Sequence, residues 1–124
     1  MPVSLTLDLR AASPAYEQVR AQLGGHIRSG TLAPGTKLPV VRALASDLGV
    51  AVNTIARAYQ ELEREGLVTT RRRVGTIVCE VVPVVPGDVA AAVDKLADAA
   101  FAADLPVDTV LDLVRGRLSL GSAG

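Results

Sequence analysis

The chain contains few aromatic residues: among its 124 residues there is no tryptophan, one phenylalanine and two tyrosines. Because hydrophobic residues still make up 49% of the sequence, any core has to be built from Val, Leu, Ile and Ala. The single cysteine, Cys79, excludes an internal disulfide framework and is typical of a reducing cytoplasm. We interpret it as a small apolar residue at a strand end, with a redox-sensing thiol as the minor alternative.

Membrane-spanning and secretory segments are lacking too. No apolar run approaches the roughly 20 residues that a membrane span requires. The first residues, Met1 to Ser4, show neither the basic nor the apolar region of a secretory signal. We therefore expect a cytoplasmic protein with no membrane partner.

Patterns of catalytic and metal-binding residues are also missing. No cysteine–histidine set has metal-ligand spacing, no G-x-x-x-x-G-K-[ST] loop is present, and no nucleophile has an evident base. The only histidine, His26, fits a helix residue better than a ligand or a general base. These absences predict that the protein is not an enzyme and uses no metal or cofactor.

The chain has no excess of either charge, since the formal net charge is zero. The two signs are nevertheless distributed unevenly along the sequence. Residues 14–79 contain nine Lys or Arg and five Asp or Glu, a net charge of +4. Residues 80–124 contain three bases and seven acids, a net charge of −4. Chance produces such divisions in small proteins, so this one supports a polyanionic partner at the front of the chain without proving it.

The first forty residues predict a strand, a helix and a loop. Apolar residues alternate with polar or small ones from Val3 to Leu9, which is typical of a short half-buried strand. Ser13 and Pro14 suit an N-cap and a first-turn proline, and the helix that they begin ends near Gly30. Its apolar stripe consists of Tyr16, Val19, Leu23 and Ile27. Residues 31–39 indicate a loop with a turn.

Two further helices are predicted after this loop. The second helix covers about residues 41–48, and Gly49 supplies the sharp exit. The third covers about residues 52–65 and is closed by Gly66. Its core stripe consists of Ile55, Ala58, Tyr59 and Leu62.

A hairpin completes this front part. Residues 67–70 and 76–81 are predicted to form its strands, with a tip at Arg71–Gly75. The predicted fold is mainly α with a small β-hairpin: a winged helix-turn-helix, followed by a two-helix C-terminal dimerisation segment. We divide the chain into a DNA-binding domain, residues 1–80, and a linker with a helical tail, residues 81–124.

The tail begins with a change of composition. The prolines within Val81–Gly87 exclude a continuous helix or strand and predict a semi-extended linker. Asp88 is expected to cap a helix that runs to about Ala103. Pro106 opens a last helix, and Ser119–Gly124 is expected to fray.

Both tail helices carry an apolar stripe. Two amphipathic helices of this length bury their stripes poorly by themselves, so they need a neighbour. Packing on the N-terminal domain is one solution, and packing on a second copy is the one that we favour. The residues predicted to form the dimer contact are Val89, Val93, Leu96, Ala100, Val107, Val110, Leu111, Val114 and Leu118.

The third helix has the polarity of a DNA-reading helix. Its leading half carries the donors Asn53, Thr54 and Arg57, and its trailing half carries glutamates that phosphates would repel. We expect the helix to enter the major groove N-terminus first, with Arg57 on a guanine and Asn53 on an adenine. Taken alone, Arg57 would be interpreted as a solvated surface residue; the segregation of the glutamates favours DNA.

Other cations flank this helix. Arg42 begins the second helix and is expected to hold a phosphate or reach the groove edge; the alternative is an ion pair with Asp47, for which a spacing of five is poor. Arg71, Arg72 and Arg73 lie at the hairpin tip, where Gly75 supplies backbone freedom. We interpret the tip as a wing that lies along DNA. A winged module whose basic face docks an acidic protein is the alternative from a different class.

Taken together, these motifs resemble the GntR family of bacterial transcription regulators, and specifically its short YtrA-type subfamily. The matching motifs are Pro14-x-Tyr16-Glu17-Gln18-Val19, Gly30-x-Leu32-x-Pro34-Gly35-x-Lys37-Leu38-Pro39, Val41-Arg42-x-Leu44-Ala45, Leu48-Gly49-Val50, Asn53-Thr54-Ile55-x-Arg57-Ala58-Tyr59-x-Glu61-Leu62-Glu63-x-Glu65-Gly66-Leu67 and Gly75-Thr76. The resemblance implies a homodimeric winged-helix repressor on an inverted-repeat, palindromic operator of double-stranded DNA. Such proteins often control transporter operons and their own genes. It identifies no small-molecule effector, so the existence of one stays open.

The resemblance also implies DNA contacts by Arg42, Asn53, Thr54, Arg57 and the wing around Arg71–Gly75. This sequence departs from the family pattern at three places. Val40 replaces a capping serine, so the second helix is expected to lack an N-cap. Ala51-Val52 replace a polar residue and a proline, which suggests that Val52 faces a thymine methyl. Arg73 replaces a glycine at the wing tip, where we expect strain or a different turn type.

Overall fold

The computed structural model describes residues 4–80 and 85–122. Over these residues the chain forms α1 (Ala15–Arg28), α2 (Val41–Leu48), α3 (Val52–Arg64), β1 (Val68–Arg71), β2 (Gly75–Val78), α4 (Gly87–Ala102) and α5 (Val107–Ser122). The predicted fold class, mainly α with one small hairpin and two C-terminal helices, is confirmed. The described residues divide into two compact units: residues 4–9, 13–80, 85 and 86 form the front unit, and residues 10–12 and 87–122 form the rear unit.

The turn between α2 and α3 depends on a glycine. Gly49 has φ 69°, a left-handed conformation that side chains with a Cβ disfavour. The chain reverses there, and the Val50 N–H donates to the Ala45 carbonyl oxygen at 3.0 Å. Gly66 ends α3 in the same conformation, with the Leu67 N–H donating to the Leu62 carbonyl oxygen at 3.0 Å. Both helix ends therefore lie where the glycines predicted them.

The front unit is built on an aliphatic core. Three helices and the hairpin each contribute to it, and the Tyr59 ring is the one aromatic group among its buried members in the described residues. These members are Val19, Leu23, Ile27, Leu32, Leu38, Leu44, Ala45, Ile55, Ala58, Tyr59, Leu62, Leu67, Val68 and Val78. The expectation of a core of Val, Leu, Ile and Ala is confirmed.

The hairpin is antiparallel, with Val68 opposite Val78 and Arg71 opposite Gly75. Its second strand ends at Val78 and is shorter than predicted. The segment before α2, predicted as a loop, pairs with the free edge of β2: the Val78 N–H donates to the Thr36 carbonyl oxygen at 2.9 Å, and the Leu38 N–H donates to the Thr76 carbonyl oxygen at 2.8 Å. Lys37 therefore forms an isolated bridge with Ile77. Strand β2 therefore has a backbone partner on both of its edges.

The predicted N-terminal strand is wrong over its described part, because residues 4–9 pair with side chains and with no strand. Gln22 accepts from the Thr6 N–H at 3.1 Å and donates to the Thr6 carbonyl oxygen at 2.6 Å. Gln18 makes the same pair of bonds with Asp8, at 2.7 and 2.9 Å. Two glutamine amides one helical turn apart thus replace the peptide groups of a neighbouring strand. The alternation itself is real, since Leu5 and Leu7 pack against the core.

Three predictions at helix ends also need correction. Pro14, and not Ser13, is the N-cap of α1, and it makes no side-chain capping bond. Helix α4 begins at Gly87, so Asp88 lies within the first turn and is not the cap. Helix α5 continues to Ser122, beyond the point where fraying was predicted. Residues 81–84 of the predicted linker lie outside the described residues.

Candidate nucleic-acid interface

Helix α3 has a buried side and an exposed side. Its core stripe of Ile55, Ala58, Tyr59 and Leu62 is buried, as predicted. On the exposed side lie Asn53, Arg57, Gln60 and Arg64, while Thr54 is half-buried. Val52 opens the helix with 45% of its surface exposed. The three donors predicted for base contact therefore lie at the leading end of α3, two of them fully on its outer surface.

The N-termini of α2 and α3 both lack a side-chain cap. Val40 and Ala51 occupy the N-cap positions with extended backbones and make no capping hydrogen bond. The first N–H groups of each helix consequently have no side-chain acceptor, and the positive end of the helix dipole is not neutralised by a carboxylate. Such helix ends favour anions, including backbone phosphates. The predicted loss of the α2 cap is thereby confirmed.

The acidic end of α3 is bound to its surroundings. Glu61 pairs with Arg64 at 3.2 Å, and Glu65 pairs with Arg20 of α1 at 3.1 Å. Glu63 accepts a 2.9 Å hydrogen bond from the Thr70 N–H of β1. The trailing glutamates thus fix α3 to α1 and to the hairpin. These carboxylates have structural partners and lie at the opposite end of α3 from Asn53.

Arg20 is the centre of this attachment. It also donates to Glu17, with Nη2 and Oε1 2.6 Å apart. The hydrogen bond from Arg20 lowers the pKa of Glu17 below its ordinary value of 4.5, and the same bond raises the pKa of Arg20. Arg20 is therefore a structural cation and is not available to a phosphate.

Arg42 and Arg57 have a different environment. Both are exposed, and neither forms an ion pair with any carboxylate in the part of the chain that the structure describes. The alternative pair between Arg42 and Asp47 is not formed. Arg57 rests on Tyr16 of α1, with the guanidinium carbon 3.8 Å from the ring centroid. Tyr16, predicted as a member of the core stripe, is half-buried.

The wing tip is cationic and conformationally restricted. Arg73 has φ 69°, and the Val74 N–H donates to the Arg71 carbonyl oxygen at 3.1 Å across the turn. A residue other than glycine in this conformation is strained, as the departure from the family pattern predicted. Arg71, Arg72 and Arg73 are exposed, and no carboxylate within the described ranges pairs with them.

Lys37 adds a fourth cation to the wing, which sequence reasoning missed. A Cβ placed on Gly75 would lie 3.1 Å from Lys37 Cε, so the lysine side chain crosses directly over this glycine. Gly75 also has φ 113°, a conformation that requires glycine. The only signal in the sequence was Lys37 itself in a proline-rich loop, since its pairing with β2 is a long-range contact.

The rear unit exposes most of its apolar residues. Of the nine residues predicted to form a dimer contact, Ala100 is buried, Val110 and Val114 are half-buried, and the other six are exposed. Phe101, the only phenylalanine, is 82% exposed and was not predicted to contribute. Cys79 is a free, half-buried thiol at the end of β2, and His26 is half-buried in α1.

This geometry defines a winged helix-turn-helix protein. A model of the family described as bacterial regulatory proteins, gntR family, matches residues 15–78, which is more than half of the chain. The protein belongs to the GntR family. The resemblance to its YtrA type is confirmed by a curated relative and by a solved structure of that name.

Among curated proteins, the chain is 51% identical over 74 residues to HTH-type transcriptional regulator Rv1152 of Mycobacterium tuberculosis, covering 60% of this chain and 61% of that protein. It is 42% identical over 76 residues to HTH-type transcriptional repressor YtrA of Bacillus subtilis, covering 61% of this chain and 58% of that protein. The aligned part thus spans about three fifths of these relatives. Both relatives are named as transcription regulators.

Among solved structures, YtrA from Sulfolobus acidocaldarius, described as a GntR-family transcription factor, matches with a TM-score of 0.59 and 33% identity over 77% of this chain and 97% of that one. The AraR DNA-binding domain in complex with operator ORX1 matches with a TM-score of 0.54 and 26% identity over 62% of this chain and 96% of that one. The chain therefore resembles GntR-family transcription regulators in both sequence and fold. Among the described residues, no helix has the length and apolar character needed to cross a membrane.

Proposed function

We propose that the protein is a homodimeric transcriptional repressor that binds an inverted-repeat operator in double-stranded DNA. The observation that carries this proposal is the separation of charge on the front unit. Arg20 and Arg64 are bound by glutamates, whereas the cations at the leading end of α3, at the start of α2 and on the wing have no carboxylate partner in the described part of the chain. Such unpaired cations gain affinity when they displace counterions from DNA.

The contacts divide by role. Arg57, Asn53 and Thr54 read base edges from α3, and Val52 contacts a thymine methyl. Arg42, the uncapped N-terminus of α2, Gly75 and the wing hold the backbone phosphates or the minor groove. The cations of the wing are Arg71, Arg72, Arg73 and Lys37. The repressor role is supported by the name of the YtrA relative, and contact with an operator is supported by the AraR complex.

Dimerisation through the rear unit completes the proposal. Helix α4 leaves Val89, Val93, Leu96 and Phe101 exposed, and exposed apolar surface of this kind marks a contact with another chain. A second copy satisfies it and supplies the second half-site of a palindrome. Operation in the cytoplasm, on a transporter operon and on the protein's own gene, belongs to the same proposal. A small molecule that releases the operator fits this role, and no set of described residues identifies one.

DNA binding is tested by fluorescence anisotropy against the DNA upstream of the protein's own gene, over a series of salt concentrations. We expect tight, salt-sensitive binding to a palindromic segment with half-sites about 10 base pairs apart. A variant in which Arg71, Arg72 and Arg73 are all alanine should have a shallower dependence of log K on log salt, by about 0.9 for each phosphate that the variant no longer neutralises. Absence of binding at low salt would reject the proposal and favour docking to an acidic protein.

Dimerisation is tested by sedimentation of Leu96→Asp beside Leu9→Asp. Both substitutions place a carboxylate on an exposed leucine, and Leu9, 92% exposed, lies in the front unit. We expect Leu96→Asp to be a monomer and Leu9→Asp to remain a dimer. If both sedimented as the parent dimer, the helical tail would not be the dimer contact.

A further inference from the structure

The ring of Tyr16 is the surface on which Arg57 rests. Tyr16 lies in the first turn of α1, and the guanidinium carbon of Arg57 on α3 is 3.8 Å from the centroid of its ring. A cation within about 6 Å of an aromatic centroid is attracted by the negative face of the ring. Arginine also makes favourable flat contacts with aromatic rings. The pair therefore links the outer face of the recognition helix to α1.

This is the one ring contact of Arg57 within residues 4–80 and 85–122. No hydrogen bond or ion pair there includes its guanidinium. Arg64, two turns further along the same exposed side, is paired with Glu61 instead. An unpartnered arginine on a helix surface samples many rotamers and loses that freedom when it binds DNA. The Tyr16 ring removes part of this freedom before DNA arrives.

The contact leaves Arg57 able to bind DNA. A guanidinium carries five N–H donors in its own plane and no acceptor, and a ring that covers one face consumes none of them. A carboxylate partner, as Arg64 has, would occupy donors and neutralise the charge. Tyr16 therefore orients Arg57 while its donors and its charge stay available for a base edge or a phosphate.

We propose that Tyr16 is a positioning residue for DNA recognition: it acts through Arg57, which it holds in the conformation that contacts the operator. This inference rests on the proposed function. Tyr16 itself needs no contact with DNA. Its hydroxyl takes part in no hydrogen bond within the described residues, so the role belongs to the ring.

A double-mutant cycle on the full chain tests the proposal, with affinity for the palindromic operator duplex measured by fluorescence anisotropy. Tyr16→Leu should bind about two- to fivefold more weakly, which is the effect of losing an exposed cation–π contact. Tyr16→Phe keeps the ring and should bind as the parent does. Arg57→Ala should lose more, and adding Tyr16→Leu to it should cost nothing further, because the ring then has no side chain to hold.

Arg64→Ala is the matched control. It removes an exposed arginine from the same helix. The factors by which Arg64→Ala and Tyr16→Leu reduce operator affinity should multiply when the two substitutions are combined. Two results would overturn the positioning role: unchanged affinity of Tyr16→Leu, or losses that multiply when Tyr16→Leu and Arg57→Ala are combined. If Arg57→Ala itself bound the operator as tightly and selectively as the parent, the assignment of Arg57 in the proposed function would fail first.

A measurement on the free protein separates positioning from loss of fold. The Arg57 Nε–H signal in a nitrogen-15 NMR spectrum should show a ring-current shift in the parent and in Tyr16→Phe, and the Arg64 signal should not. Thermal unfolding of each variant shows whether Tyr16→Leu still folds. An Arg57 signal unchanged between Tyr16→Phe and a folded Tyr16→Leu would also overturn the proposal.

Discussion

The hydroxyl of Tyr59 donates a 2.7 Å hydrogen bond to the carbonyl oxygen of Pro39. Tyr59 lies in the middle of α3, and Pro39 belongs to the segment that leads from the wing edge into α2. The bond gives a buried hydroxyl its acceptor and fixes α3 to the start of α2. Burial of the ring also raises the pKa of Tyr59.

Tyr59→Phe should therefore reduce the free energy of unfolding by about 1 kcal/mol, because the Pro39 carbonyl loses its partner while the ring remains. Urea unfolding at neutral pH measures this loss. Tyr16→Phe is the matched control and should unfold as the parent does. Equal stability of Tyr59→Phe and the parent would contradict a stabilising role for the bond.

The raised pKa of Tyr59 has a consequence at alkaline pH. Because the folded state favours the neutral hydroxyl, its contribution to stability is complete below the ordinary tyrosine pKa of 10.0 and is lost as the pH rises above it. The parent should lose stability above that pH more steeply than Tyr59→Phe. If the free energies of unfolding of the two proteins fell in parallel with pH, ionisation of the Tyr59 hydroxyl would not be coupled to folding.

At the wing tip, stability and DNA affinity should change in opposite directions. Arg73→Gly relieves a left-handed conformation that costs a residue with a Cβ roughly 1 kcal/mol, so the variant should be more stable by several tenths of a kcal/mol in urea unfolding. It should also bind DNA more weakly, because one cation is lost. Arg72→Gly is the control, because Arg72 does not have a positive φ. This variant loses the same charge but relieves no backbone strain, so it should not be more stable than the parent. If Arg73→Gly were less stable than the parent, the claim that Arg73 is strained would be contradicted.

The Glu17–Arg20 ion pair within α1 should be sensitive to acid. The folded pKa of Glu17 is lowered by its bond from Arg20, so its stabilising effect is present above the ordinary pKa of 4.5 and is lost as the pH falls through the folded value. Glu17→Gln should be less stable than the parent at pH 7, by up to about 1 kcal/mol for a partly exposed ion pair.

The difference between Glu17→Gln and the parent should shrink as the solution is acidified below the ordinary pKa. Thermal unfolding over a pH series measures it. Glu80→Gln, which removes an exposed carboxylate, should show no such convergence. A difference that stayed constant into acid would mean that the Glu17 charge does not contribute.

The elements that depend on local signals were predictable from the sequence. Helices α2 and α3 end at Gly49 and Gly66, whose left-handed conformation is a property of the residue, and their core sides follow the apolar period. The cationic leading end of α3 was predictable for the same reason, because helical geometry alone places Asn53 and Arg57 on its outer side.

The features that depend on distant partners were not predictable. The glutamine amides that replace a strand beside residues 4–9 join positions 10 and 16 residues apart. Lys37 reaches the wing through an isolated pairing with Ile77. Tyr16 has the spacing of a core residue, yet a cation from another helix covers its ring. A periodic pattern reports which side of a helix is apolar, but not which neighbour meets it.

The most direct test of the DNA-binding face is an NMR titration of the nitrogen-15-labelled protein with its operator duplex. The largest shifts should fall on the first turns of α2 and α3, on the Arg57 side chain, and on the wing from Arg71 to Gly75. The trailing glutamates of α3 should change little. Shifts confined to α4 and α5, or to the Glu61–Glu65 end of α3, would contradict the claim that the unpaired cations of the front unit contact DNA.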